Sequence, residues 1–253
     1  MTDGADMDVG ARRSETVLLL VAVAGLWVIG PAVAARHAQG GIAIAYLAGL
    51  SIGAVAIRRG AALPFLLATC GAGVTLAAAL GGVAGFHPLL VTAALLVAFP
   101  LVARGSAEPV APASRLAGQV LFAVLVLAAS FTRVADALRF ATPAPGVFFV
   151  AVAPLTVVLA ACLLRGLRRK EIDPLVRGEA LLATATIPAL LAGLSLETVT
   201  GAVLVANLAV AFLALGRIAR GASRRDAASL WEGVLLAGAL VVSRLAELVL
   251  DRA

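Results

Sequence analysis

The sequence predicts an all-α fold, a polytopic transmembrane helical bundle of about nine helices, or about eight if the first is a cleaved signal. Three observations predict it. Of 253 residues, 62% are hydrophobic and 13% charged, whereas charged residues make up about 25% of an ordinary soluble domain. The apolar residues gather into nine runs, each close to the ~20 residues that cross a hydrocarbon core of ~30 Å. Arginines fill the short gaps between those runs.

Taken in order, residues 1–15 form a polar N-terminal tail, acidic then basic, expected to be loosely held. The first run, Thr16 to Ala35, follows Arg12 and Arg13 and ends with small residues at Ala32 and Ala34. A retained helix is the preferred reading over a cleaved signal. The second, Gly41 to Ile57, carries a GxxxG step at Gly49 and Gly53, which lets a neighbouring helix approach closely. The third runs from Ala62 to Leu80. A glycine-rich turn, Gly81 to Pro88, leads to the short fourth run, Pro88 to Ala103. The turn lacks the Lys-Ser/Thr of a phosphate loop and the preceding strand, so it reads as a hairpin connection.

Arg104 to Ser114 is more polar and holds two prolines, a break that separates halves 16–103 and 114–216 within one transmembrane domain, 16–253. The fifth run starts at Leu116 and takes in Arg133, Asp136 and Arg139 before the stop at Pro143 to Gly146. The sixth (Val147 to Leu164) and seventh (Gly178 to Leu196) contain Pro154 and Pro188, each removing a backbone hydrogen bond. Asn207 lies near the centre of the eighth, Thr198 to Gly216. The ninth, Ser229 to Leu250 (the final helix, 229–250), opens with Ser229 and Glu232 at the spacing of a capping box.

Charge sets the orientation. All but five of the twenty Lys and Arg residues fall in the N-terminal tail and alternate gaps: Arg12, Arg13, Arg58, Arg59, Arg104, Arg115, the five cations from Arg165 to Arg177 and the four from Arg217 to Arg225. By the positive-inside rule this side and the N-terminus are cytoplasmic, which places the chain in a cell inner (plasma) membrane as a multi-pass protein. The high basicity therefore reflects topology, and nucleic acid is excluded as a partner. The lipid bilayer is the implied environment. Cys70 and Cys162 lie in apolar runs without metal-binding spacing and read as small buried hydrophobes. No cofactor or metal is implied.

The other side concentrates two matching segments, Arg133-Val-Ala-Asp136 and Arg244-Leu-Ala-Glu247. An Arg and a carboxylate three positions apart share a helical face, and ionisable groups at membrane depth are candidate functional residues. With Arg36, His37, His87, Arg139 and Glu197 on the same side, the set suits a small anionic ligand held by arginine's planar fork. The competing reading is a pair of structural ion pairs that fix the fifth helix against the ninth. Asn207, Thr184 and Thr186 are candidate path-lining residues, or hydrogen-bonding links between helices.

The stretch from Asn207 through GRIARGASRRDAASLWEG to the Arg244 and Glu247 helix resembles the closing segments of bacterial multi-pass integral membrane proteins of unknown function. The resemblance implies a membrane location and no particular activity. The functional expectation is a transporter or permease-like protein with a polar site toward the outer face. Two alternatives stand beside it: a structural or accessory subunit packed on other membrane subunits, and a membrane enzyme acting on a lipid-linked substrate through His37 or His87.

Overall fold

A computed structural model describes residues 3–140, 145–169, 171–195 and 199–250. These residues form ten α-helices and no strand: α1 (Asp3–Arg36), α2 (Ala38–Arg58), α3 (Ala62–Leu80), α4 (Phe86–Ala98), α5 (Ala111–Ala129), α6 (Thr132–Phe140), α7 (Pro145–Leu167), α8 (Pro174–Ser195), α9 (Val199–Arg224) and α10 (Ala227–Leu250). Short 3₁₀ turns lead into α4 and α5 and extend α4 to Leu101. Six stretches among the described residues are long and apolar enough to cross a membrane: Glu15–Arg36, Ala38–Arg58, Ala62–Leu80, Gly105–Ala129, Gly146–Leu167 and Thr200–Arg224. The chain is a membrane protein by this measure. Of the rest, α4 is short, α8 carries Arg177 and Glu179, and α10 carries Glu232, Arg244 and Glu247.

The helices outrun the apolar runs at the basic ends. α9 continues through Arg217 and Arg220 to Arg224, and α5 begins at Ala111, a turn before Arg115. Arginine, glutamate and alanine are strong helix formers, so a hydropathy window closes where a charge begins while the backbone keeps its helical bonds. α1 likewise reaches back to Asp3 through the polar N-terminal segment. The fifth run divides instead. α5 ends at Ala129, and after Ser130 and Phe131 the chain resumes as α6, a nine-residue amphipathic helix with Ala135 and Leu138 buried and Arg133 and Asp136 exposed. Short, strongly two-faced helices of this kind lie along an interface rather than crossing it.

Packing is organised around α4. Leu90, Val91, Ala93, Ala94, Leu96, Val97 and Ala98 are all buried, and α3, α5, α7 and α8 pack on this helix. α1, α2 and α3 form a group on one flank, while α8, α9 and α10 stack in succession with α5 against α9. One buried cluster runs from Ala34 to Val210, so the two halves share a core across the Arg104–Ser114 break. That core is rich in alanine. Lipid tails are as apolar as leucine, so helix association here depends on close van der Waals contact, which small side chains permit. Large apolar side chains face outward instead: Leu18, Val21 and Val28 on α1, Phe149 and Val157 on α7, Phe212 on α9, Val242 and Leu245 on α10.

The GxxxG step works as its spacing implies at one of its two positions. A Cβ on Gly49 would lie 2.6 Å from the Cβ of Ala72 on α3, whereas one on Gly53 would meet only ordinary contact. The glycine-rich turn is a connection: Gly81, at φ +70°, closes α3.

Candidate functional site

The Arg244–Glu247 step forms its ion pair within α10, and both side chains reach the break between α5 and α6. Arg244 Nη2 donates to the carbonyl oxygen of Ser130 at 2.5 Å and to its hydroxyl at 2.8 Å, and its guanidinium lies 5.6 Å from the Phe131 ring centroid. Glu247 Oε1 accepts the backbone N–H of Thr132 at 2.6 Å and also the Thr132 hydroxyl. A helix end leaves carbonyls without partners, and a helix start leaves N–H groups without partners. The pair supplies a cation to the end of α5 and an anion to the start of α6, each favoured by the local helix dipole. Glu247 sits near the C-terminus of its own helix, where the dipole disfavours it, and the N-terminus of α6 compensates.

The matching segment does not join in. Arg133 and Asp136 are exposed on α6 and make no ion pair with each other; an exposed pair gains little by closing. Arg36 and His37 are exposed, while His87 packs edge-on against Phe148 at 5.4 Å and Phe86 at 6.4 Å. Glu197 and Arg252 lie outside the described residues. Thr184 and Thr186 donate to the carbonyls of Ala180 and Leu182 in their own helix. Thr184 opens onto an apolar groove between α7 and α8 that neither Thr186 nor Asn207 lines. The amide oxygen of Asn207 is buried without a hydrogen-bond partner. Cys70 and Cys162 are free and half-buried, and no group of three His, Cys, Asp or Glu side chains suited to a metal occurs among the described residues.

A second polar constellation, at the basic helix ends, was not singled out by the sequence. Glu179, on the second turn of α8, is 6% exposed. Its Oε2 accepts Arg115 Nε at 2.8 Å, Arg115 Nη2 at 2.7 Å and Gln119 Nε2 at 2.5 Å, while Arg217 Nη2 lies 3.5 Å from Oε1. Arg217, itself buried, also pairs with Glu232 on α10. Glu179 Oε1 and the Nε atoms of Arg217 and Arg220 are buried without hydrogen bonds. These residues, with Asp226 and Ser229, line a cavity of about 230 Å³ among α5, α8, α9 and α10, walled on its apolar side by Pro112, Leu116, Leu175 and Ala228.

Local sequence builds this site. Arg115 and Gln119 are four apart on one face of α5. Gly118 between them lets α5 press on α4: a Cβ there would sit 2.6 Å from the Val97 nitrogen. Gly233 does the same for α10 on α9, where a Cβ would sit 2.7 Å from the Ala214 carbonyl oxygen. Two of the helices that start at this end, α8 and α10, carry an aspartate cap. Asp173 accepts the Leu175 N–H at 2.9 Å and pairs with Arg224 at 3.1 Å. Asp226 accepts the Ala228 N–H at 3.2 Å and the Ser229 hydroxyl at 2.6 Å. The cap of α10 is thus Asp226 rather than Ser229, and Glu232, expected to complete a capping box, is drawn to Arg217 instead. The Leu175 N–H, then Arg224, hold the Asp173 carboxyl below its ordinary range against a modest burial penalty. The Ser229 hydroxyl does the same for Asp226.

The signals for this site were an amide and a carboxylate, Gln119 and Glu179, each just inside an apolar run. No family model, curated protein or solved structure matches this chain.

Proposed function

We propose that the chain is a permease-like inner-membrane protein that crosses the bilayer nine times and binds a small polar solute at the cytoplasmic ends of α5, α8, α9 and α10. The carrying observation is Glu179, a buried carboxylate whose second oxygen has no hydrogen-bond partner, in the wall of a cavity of about 230 Å³. Burying charge without complete pairing is costly, and residues that tolerate that cost cluster at sites of function. The orientation rests on the positive-inside rule. Proline in α7 and α8 suits helices that bend in transport.

Counterflow in proteoliposomes, with a panel of labelled small solutes, tests the reading. Exchange of at least one solute by the wild type, lost in Arg217→Gln at equal incorporation, is expected. Traces equal to empty liposomes for every solute would overturn transport. Single cysteines in place of Arg168 and Arg133 test the orientation. A membrane-impermeant thiol reagent added to intact cells should reach the second position and not the first.

A structural, accessory-subunit reading is favoured by one observation, the bonds that Arg244 and Glu247 make to Ser130 and Thr132 at the break between α5 and α6. In that reading the outer-side pair holds the bundle together and binds nothing.

A further inference from the structure

The cavity at the basic helix ends has a lining that carries both signs of charge. Three arginines, Arg115, Arg217 and Arg220, face three carboxylates, Glu179, Asp226 and Glu232. A lining that is neutral overall but divided into opposite charges matches a ligand that is itself neutral and divided. The unspent hydrogen-bonding capacity is divided in the same way: one carboxylate oxygen on Glu179, and one N–H each on Arg217 and Arg220. These atoms lie beneath the cavity wall rather than open on it; with Glu232 swung off Arg217 they would meet one donor and one two-oxygen acceptor.

We infer that the site takes a small zwitterion with an aliphatic part, its carboxylate on Arg217 and Arg220 in place of the Glu232 side chain, its ammonium on Glu179. The inference rests on the solute-binding site proposed above. Glu232 is the group that can leave. Its side chain is 42% exposed, against 10% for Arg217 and 6% for Glu179, so it swings to water at little cost while Arg217, its partner, and Glu179 stay fixed. Glu232 is then a built-in competitor for the ligand's carboxylate. A volume of about 230 Å³ equals roughly eight waters at ~30 Å³ each, and Pro112, Leu116, Leu175 and Ala228 offer an apolar wall. That combination fits an aliphatic α-amino acid.

Three probes of one size separate the chemistries: L-leucine carries both charges, 4-methylpentanoate only the anion, isopentylamine only the cation. Binding to the full chain in detergent is read by thermal shift and calorimetry, with inorganic phosphate as a fourth probe. L-Leucine alone should bind the wild type. Glu232→Gln, which keeps the fold and removes the competitor, should tighten it about three- to fivefold, the range of a half-exposed ion pair. Glu179→Gln should abolish the preference for leucine over 4-methylpentanoate. Equal binding of 4-methylpentanoate or phosphate to the wild type would overturn the zwitterion while leaving a solute site in place. An unchanged or weaker leucine affinity in a folded Glu232→Gln protein would overturn the competitor role. If none of the four probes binds either protein, the zwitterion assignment falls. The counterflow panel then decides separately whether any solute is carried.

Discussion

Arg244 of α10 donates to both oxygens of Ser130, the residue at which α5 ends. Hydrogen bonds to a charged group contribute about 1.5–3 kcal/mol each, and this one satisfies a carbonyl that the helix cannot. Arg244→Gln should therefore lower stability by about 2 kcal/mol, read as a fall in thermal midpoint in detergent. Glu247→Gln should cost less, since the amide oxygen still accepts the Thr132 N–H. The double variant should lose less than the two single losses added together, because the two residues share one break. Strict additivity would show that they act apart.

Glu179 is a heavily engaged carboxylate, with Arg115, Gln119 and Arg217 around it. Glu179→Ala leaves buried guanidinium groups without an anion and should destabilise by about 3–5 kcal/mol. Glu179→Gln retains the shape and should cost distinctly less. A loss in Glu179→Gln as large as in Glu179→Ala would mean that packing, not charge, makes the residue matter.

Gly118 lets α5 lie against the α4 backbone. Gly118→Ala forces the two helices apart, at a cost of about 1–3 kcal/mol. Because Arg115 and Gln119 flank this position, the variant should also weaken solute binding without changing the charge of the site. Equal thermal midpoints for variant and wild type would disprove the close approach.

The two aspartate caps make a prediction about acid. Asp173 and Asp226 are held below their ordinary value of 3.8, so their contribution is present above that value and is lost as pH falls through the lower, folded-state value. Thermal midpoints measured from about pH 6 down past about pH 3 should fall, and Asp226→Asn should flatten that fall. A variant as acid-sensitive as the wild type would remove Asp226 from the account.

Much of the bundle was legible because lipid enforces length and composition, and both are written residue by residue. The Gly49 step and the Arg244–Glu247 pair were readable for the same reason: helical spacing alone puts their groups on one face. The break at Ser130 was not readable. Apolar residues continue through it, and what ends α5 is a serine hydroxyl bonded to the Leu127 carbonyl and a partner that arrives from 114 residues away. The Glu179 cluster escaped because its members come from four helices, and because Arg115 and Arg217 were already accounted for by topology. Each has the composition of a loop charge and the geometry of a buried one.

α4 and its 3₁₀ extension span Phe86–Leu101, about 24 Å at ~1.5 Å per residue, several ångströms less than the ~30 Å of hydrocarbon. A helix at the lipid boundary would have to thin the bilayer around it to match. α4 is surrounded by protein and has no such obligation. A change in membrane thickness therefore bears on helices with exposed apolar faces, such as α1, α7 and α9, rather than on the enclosed hub.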